Sequence, residues 1–272
     1  MTEALPLPPG ACDCHMHVFE DRFALAPTAT FKPPHAPAAA YRGMRQRLGL
    51  SRVVVVQPTG YAFDNRCTLE AMSELGPEAR GIVVVEPDTG DDELAKLDAL
   101  GVRGIRYMML PGGVLGWDGL EDCSARIDAL GWHVDLQLDG RELPSREALL
   151  LGLAGRLVID HIGKFLGPTT TESPGFASLC RLLDRGRCWL KLSAPYESSR
   201  AGPPGYADVA PLARALASRY PQRCLWASNW PHPNTRPLPS EEALLAWTDG
   251  CTGDEANRRK VLVANAAELY GF

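Results

Sequence analysis

The chain has 272 residues, 45% of them hydrophobic and 22% charged, with a formal net charge of −5. That composition supports a large buried core and excludes a disordered chain. Lys and Arg form no stripe or run, which argues against a nucleic-acid partner, and no apolar run approaches the roughly 20 residues needed to cross a membrane.

The N-terminal MTEALPLPPGA lacks the basic and apolar regions of a signal peptide, so a soluble cytoplasmic protein is expected. Eight cysteines occur without C-x-x-C spacing, several inside apolar runs. They are expected to be free buried thiols.

Eight strand-like runs follow one another. They are ACDCHMHVF from Ala11, RVVVVQP from Arg52, ARGIVVVEP from Ala79 and VRGIRYMML from Val102. WHVDLQL from Trp132, RLVIDHIG from Arg156, CWLKLSAP from Cys188 and RCLWASNWP from Arg223 complete the series. Most have a continuous apolar centre, as strands buried on both faces should. Helix-like segments lie between them: DNRCTLEAMSELG from Asp64, DDELAKLDALG from Asp91, PSREALLLGLAG, ESPGFASLCRLLDRG, YADVAPLARALASRY and a closing GDEANRRKVLVANAAELYGF. Acidic openings and glycine endings mark their limits.

Strand starts fall roughly 23 to 41 residues apart, the spacing of repeated β-loop-α units. Eight such units predict an α/β protein, a single-domain (β/α)₈ barrel over residues 1–272. The alternative, an open doubly wound sheet, would place a Gly-rich turn where this chain reads HVFEDRF. Residues 20–40, EDRFALAPTATFKPPHAPAAA, lack periodicity. A loop of that length after strand 1 is expected to fold over the barrel mouth.

Alternation along a strand puts Asp13, His15 and His17 on one face. Two neighbouring imidazoles can bind a metal, donate to an anion or move a proton, but the spacing alone is weak evidence. The other strand ends add weight. His161 and Lys164 end strand 6, and Ser228, Asn229 and His232 end strand 8. Arg106 and Tyr107 lie on strand 4, Gln137 and Asp139 on strand 5, and Tyr196 follows strand 7. In a barrel these groups converge on one mouth.

On these residues the chain resembles the amidohydrolase superfamily, in its amidohydrolase-related (type 2) branch. The resemblance is carried by D-x-H-x-H at 13–17, GVRGIRY at 101–107, VIDHIGK at 158–164 and NWPHPN at 229–234. LPGG at 110–113, DHIGKF at 160–165, YESSR at 196–200 and YADVA at 206–210 look closest to its lactone-processing subgroup, on the side of lactone isomerisation rather than hydrolysis. The resemblance implies the barrel fold and a small carboxylated lactone as substrate. Many members hold divalent metal with H-x-H, a strand 4 Lys or Glu, histidines on strands 5 and 6 and a strand 8 Asp. Here strand 4 offers Arg106, Tyr107 and Met108, His133 lies at the wrong end of strand 5, and Asn229 replaces the acid. No metal cofactor is therefore expected. The alternative is zinc on His15, His17 and His161.

A neutral amide cannot take a proton from water. A hydroxyl of the substrate can still attack the ring ester, helped by high effective molarity. The expectation is metal-independent lactone isomerisation, with lactone hydrolysis and a non-catalytic metabolite-binding barrel as alternatives. His15, His17, His161 and Asn229 are expected around the lactone carbonyl, with nothing acidic among them. Arg106 and Lys164 would hold carboxylates, and Tyr196, Gln137 and Tyr107 would make further contacts. Arg103 and Lys191 are read as paired surface or second-layer charges. Asp160 is read as packing behind the barrel or orienting a neighbour, Asp64 and Asn65 as a helix cap, and Trp226 and Trp230 as core or pocket wall.

Overall fold

The eight apolar runs form one sheet of parallel strands in sequence order. They are β1 (Cys12–Met16), β2 (Arg52–Val56), β3 (Ala79–Val83), β4 (Val102–Met108), β5 (His133–Gln137), β6 (Arg156–Ile159), β7 (Cys188–Leu192) and β8 (Cys224–Trp226). The computed structural model describes residues 5–272. Between β8 and β1 the ring is joined by single bonds. Asn229 N–H donates to the His15 carbonyl, His17 N–H to the Trp230 carbonyl, and Ser228 N–H to Asp13 Oδ1, each at 2.8 Å.

Helices α1 (Ala38–Leu48), α2 (Arg66–Leu75), α3 (Asp91–Ala99), α4 (Leu120–Asp128), α5 (Leu143–Gly152), α6 (Pro174–Asp184), α7 (Ala210–Arg219) and α8 (Glu241–Thr252) follow the strands in turn. A short α9 (Glu255–Arg259), a π turn and α10 (Asn265–Tyr270) end the chain. Local chemistry sets several limits. Three acids open α3, matching the helix dipole. The Ser240 side chain caps α8 by accepting from Ala243 N–H. Gly49, at φ 78°, closes α1 with bonds to two helix carbonyls. Helices α1, α4 and α8 were not among the sequence expectations, and α1 takes the last three residues of the 20–40 loop.

Inside and outside alternate cleanly on β2. Val53 and Val55 pack outward with the helices, whereas Val54 and Val56 face the interior beside Ile82, Val158 and Leu225. The lower interior holds a buried apolar cluster. Leu269 and Tyr270 of α10 join this cluster and close the end where the strands begin. All eight cysteines are free, and seven are buried. Among the described residues no helix is long and apolar enough to cross a membrane.

One strand breaks the alternation. Asp13 pairs with Val53 but Met16 pairs with Val55, so β1 carries one extra residue, a β-bulge. This corrects the expectation that Asp13 shares a face with His15 and His17. Asp13 lies at the β8 seam, accepting from the Tyr41 hydroxyl of α1 at 3.0 Å and from the Ser228 hydroxyl and amide.

Candidate active site

Above the apolar floor the barrel interior turns polar. Lys191 on β7 is 0% exposed. Its Nζ contacts Asp135, Asp160 Oδ1 at 3.0 Å and His15 Nδ1 at 3.0 Å. The ammonium thus hydrogen-bonds to Asp135 and His15 and forms an ion pair with Asp160. Of the two readings given for each residue, one fits: Lys191 is a paired charge in the layer beneath the cavity, not on the surface, and Asp160 lies inside the barrel holding its neighbours Lys191 and His15, not behind it. The backbone after β6 turns left-handed at His161, with φ 51°, so Asp160 and His161 both reach the interior despite being neighbours. Arg103 does pair outside, with Asp98 at 3.0 Å.

The bonds fix the proton positions. His17 Nδ1 lies 2.7 Å from the Val56 carbonyl, which only accepts, so Nδ1 carries the hydrogen. In the neutral ring Nε2 then accepts, and its partner at 3.1 Å is His15 Nε2, which must donate. That leaves His15 Nδ1 as the acceptor for Lys191. Both rings are neutral. Burial and the adjacent Lys191 hold His15 well below the ordinary histidine range, and burial and Arg106 bring His17 down to about 3.

Among the carboxyls, burial and the neighbouring Asp160 push Asp135 up to about 7. Burial would raise Asp160 too, but Lys191, His15 and His161 outweigh it and hold Asp160 well below its ordinary value. Lys191 thus lies between two carboxyls, of which Asp160 is the stronger acid.

Above this layer opens a cavity of about 390 Å³. His17, Arg106, Gln137, His161, Lys164, Tyr196, Glu197 and Asn229 line it, with Thr30 and Phe31 of the 20–40 loop. Most expected site residues therefore meet. Two do not. His15 lies beneath, its ring centroid 4.7 Å from that of His17 and 4.8 Å from that of His161. Tyr107 follows inward-facing Arg106 and so points outward, into the apolar layer beside Cys123 of α4. It corrects the expectation of a substrate contact.

The lining groups differ in freedom. Arg106 is clamped: Nη1 donates to the Gln57 carbonyl at 2.9 Å and Nη2 to Gln137 Oε1 at 2.5 Å. His161 Nδ1 pairs with the Ser193 hydroxyl at 2.9 Å, and its other nitrogen has no protein partner among the described residues. Burial lowers His161 to about 4 against the pull of Glu197 and Asp160. Asn229, left-handed at φ 58°, donates through Nδ2 to the Tyr196 hydroxyl at 3.0 Å and to Glu197 Oε1 at 3.1 Å. The Tyr196 hydroxyl also meets His232 Nδ1 at 2.9 Å.

The sequence reading gave Glu197 no role as an acid and expected none among the groups around the lactone carbonyl. Its second oxygen pairs with Lys164 Nζ. Burial would raise its pKa, but His161, Lys164 and Asn229 prevail and leave the carboxyl below its ordinary value. Elsewhere the expectations fare variously. Asp64 accepts from Arg66 N–H at the start of α2, whereas Asn65 bonds the Val84 backbone of the segment after β3. His133 sits at the floor against Tyr270, with ring centroids 5.4 Å apart. Trp226 belongs to the outer core, and Trp230 packs on Tyr41. A second cavity, of about 480 Å³, lies between the loops after β6 and β7 and has apolar walls including Ile162, Phe165 and Leu212.

The potential metal donors are His15, Asp160 and His161, whose ligating atoms lie within 4.8 Å of one another. His17, expected in that set, is not part of it. Two of the three donors already hold the Lys191 ammonium at 3.0 Å. Arg106 Nη2 also lies 3.8 Å from Asp160. A divalent ion would have to displace Lys191 from these donors and lie beside the Arg106 guanidinium. The donor set does not fit one.

A parallel barrel with imidazoles, a guanidinium and a carboxylate gathered past the strand ends has the architecture of barrel enzymes. The family model described as Amidohydrolase matches residues 12–272, and the chain belongs to that family. It is 37% identical over 268 residues to D-galactarolactone isomerase of Agrobacterium fabrum, covering 97% of this chain and 91% of that one. It is 33% identical to a 2-pyrone-4,6-dicarboxylate hydrolase of Comamonas testosteroni, covering 97% and 91%. A solved apo structure from Agrobacterium tumefaciens superposes with a TM-score of 0.92 at 36% identity, covering 97% of both chains.

Proposed function

We propose that the protein interconverts lactones of a small sugar diacid by intramolecular ester exchange, without metal. The observation that carries this reading is the state of the acids and amide at the mouth. Asn229 is neutral, and Glu197, the one carboxylate lining the cavity among the described residues, is held by Lys164 and Asn229. In the ligand-free protein neither oxygen of that carboxylate is left unpaired to activate a water, whereas a substrate hydroxyl brings its own nucleophile within reach of the ester. The likeness to a lactone isomerase supports it.

In this reading Arg106 and Lys164 attract the substrate carboxylate, with Lys164 as a point charge. With Nδ1 accepting from the Ser193 hydroxyl, the neutral His161 ring carries its hydrogen on Nε2 and donates it to the lactone carbonyl. Such a donor contributes a few kcal/mol to an oxyanion intermediate, about 2.7–4 kcal/mol in measured cases. His17 keeps its ring fixed between Val56 and His15, and Tyr196 and Gln137 meet hydroxyl groups. His15 acts as a positioning residue beneath them. The 20–40 segment, through Thr30 and Phe31, serves as a lid that keeps water from the ring. Attack and departure need one proton acceptor that returns what it takes, because both oxygens belong to one molecule.

The test is to incubate the protein with the six-membered lactone of a hexaric acid, followed by ¹³C NMR and pH-stat together. Isomerisation yields five-membered lactone signals and no acid. Acid released in step with lactone loss would instead establish hydrolysis, the activity named for the Comamonas relative. Tight binding with no turnover of any hexaric lactone would leave a binding barrel.

A further inference from the structure

The Lys164–Glu197 pair is built differently from every other charged contact facing the cavity. Lys164 and Glu197 side chains are 14% and 17% exposed, so both are reachable from the opening. Arg106 is fixed by Gln57 and Gln137, but Lys164 has Glu197 as its single protein partner among the described residues and a flexible four-carbon stem. An arriving carboxylate meets two cations and can draw only one of them from its place.

We propose that Glu197 is the proton acceptor of the reaction, and that the substrate's free carboxylate switches it on by drawing Lys164 away. This rests on the lactone reading above. In the free enzyme the ammonium masks the carboxylate. With Lys164 transferred to substrate, Glu197 keeps Asn229 on one oxygen and presents the other to a substrate hydroxyl. The hydroxyl proton passes to Glu197 as its oxygen bonds to the acyl carbon, and the carbonyl electron pair becomes an oxyanion. Collapse restores the carbonyl, breaks the old ring C–O bond and returns the proton to the departing oxygen. Water and cofactor are neither consumed nor made. The groups facing Glu197 are His161 and Lys164 beyond β6, its neighbour Tyr196, and Asn229 beyond β8. Burial is the largest single influence on its carboxyl and acts to raise its proton affinity. Loss of Lys164 leaves that influence less opposed.

The experiment uses two substrates: the six-membered hexaric lactone and the matching hexonic lactone, which has a CH₂OH group in place of the free carboxylate. Glu197→Gln preserves the size and the Asn229 bond. It should lower kcat on the diacid lactone by about 10²–10⁴-fold, with KM within about threefold. Lys164→Met should raise KM for the diacid lactone about tenfold or more, yet raise kcat on the hexonic lactone above that of the wild type. A second readout needs no turnover. Calorimetry of open-chain hexaric acid binding at pH 5.5, in buffers of different ionisation enthalpy, should show proton uptake by the wild type and none by either variant. Near-normal turnover by Glu197→Gln, or ligand binding without proton uptake by the wild type, would overturn the proposal. Proton uptake that depends on Glu197, in a protein that isomerises no lactone, would uphold the switch and reject the reaction.

Discussion

Lys191 and Lys164 lie in two layers of one barrel, each beside carboxylates and imidazoles. Lys191 is sealed, hydrogen-bonded to Asp135 and His15 and ion-paired with Asp160. Lys164 stands at the mouth with one partner and an open side. A fully buried ammonium held by three groups is a fixed charge. A singly paired ammonium at a cavity wall can change partners. Burial and bond count, more than residue type, separate scaffold from moving part.

The comparison breaks most visibly at Lys191→Met. Removing the cation leaves Asp160 and Asp135 buried beside each other, and stability should fall by about 3–5 kcal/mol in urea unfolding. Lys164→Met should cost distinctly less, about 1–2 kcal/mol, because its pair keeps some exposure and Asn229 still donates to Glu197. Equal losses would erase the distinction.

Asn229→Asp tests the mouth itself. It sets a second carboxylate where Asn229 Nδ2 now lies 3.1 Å from Glu197. Two acids at that spacing cannot both ionise easily, so one gains the proton affinity of a working base. Acid release from the lactone should rise at least about tenfold over the wild type in a pH-stat. No rise would show that a missing base is not what holds hydrolysis back.

Acid should loosen the sealed layer. His15, His17, His133 and His161 are all held below their ordinary 6.5 in the fold, His17 at about 3 and His161 at about 4. The unfolded chain therefore binds more protons between these values, and stability drops as pH falls through about 6.5 to 3. Asp160 and Glu197, also lowered, lose their contribution in the same direction as they protonate. Asp135, raised to about 7, and Asp13 and Asp249, also raised, oppose this, since their contributions are lost as pH rises. The four imidazoles together with the lowered carboxyls outweigh these three, so thermal midpoints should fall steadily below pH 6. A midpoint that climbs on acidification would mean that these rings are charged in the fold.

Tyr107→Phe should have the smallest effect. The hydroxyl lies against α4, away from the cavity, so kcat/KM should stay within about twofold and stability within about 1 kcal/mol. A larger loss of activity would return Tyr107 to the substrate.

Much of this was legible in the sequence. Near-continuous apolar runs separated by capped helices gave the barrel, and polar residues at strand ends gave the mouth. The β1 bulge was not legible, because period 2 assumes a regular ladder and one extra residue sends Asp13 to the seam. Lys191 was readable in principle, since Trp189, Lys191 and Ser193 share an inward face, but a charge inside an apolar strand resembles a surface residue until its three partners are known. The orientation of the Glu197 carboxylate into the mouth was not legible, because the residue follows β7 in a 3₁₀ turn, Pro195–Glu197, where no period applies. Helix α1 was hidden by the Pro- and Ala-rich stretch that runs into it.

The chain contains five lysines, at 32, 96, 164, 191 and 260, so a ¹⁵N-lysine spectrum can resolve each ammonium. Recorded with and without hexaric acid, and assigned with Lys164→Met, it tests the contrast between the two layers directly. The account predicts a Lys191 signal protected from solvent exchange and unmoved by the ligand, and a Lys164 signal that shifts on binding. A Lys191 ammonium in rapid exchange, or a Lys164 signal indifferent to bound ligand, would contradict it.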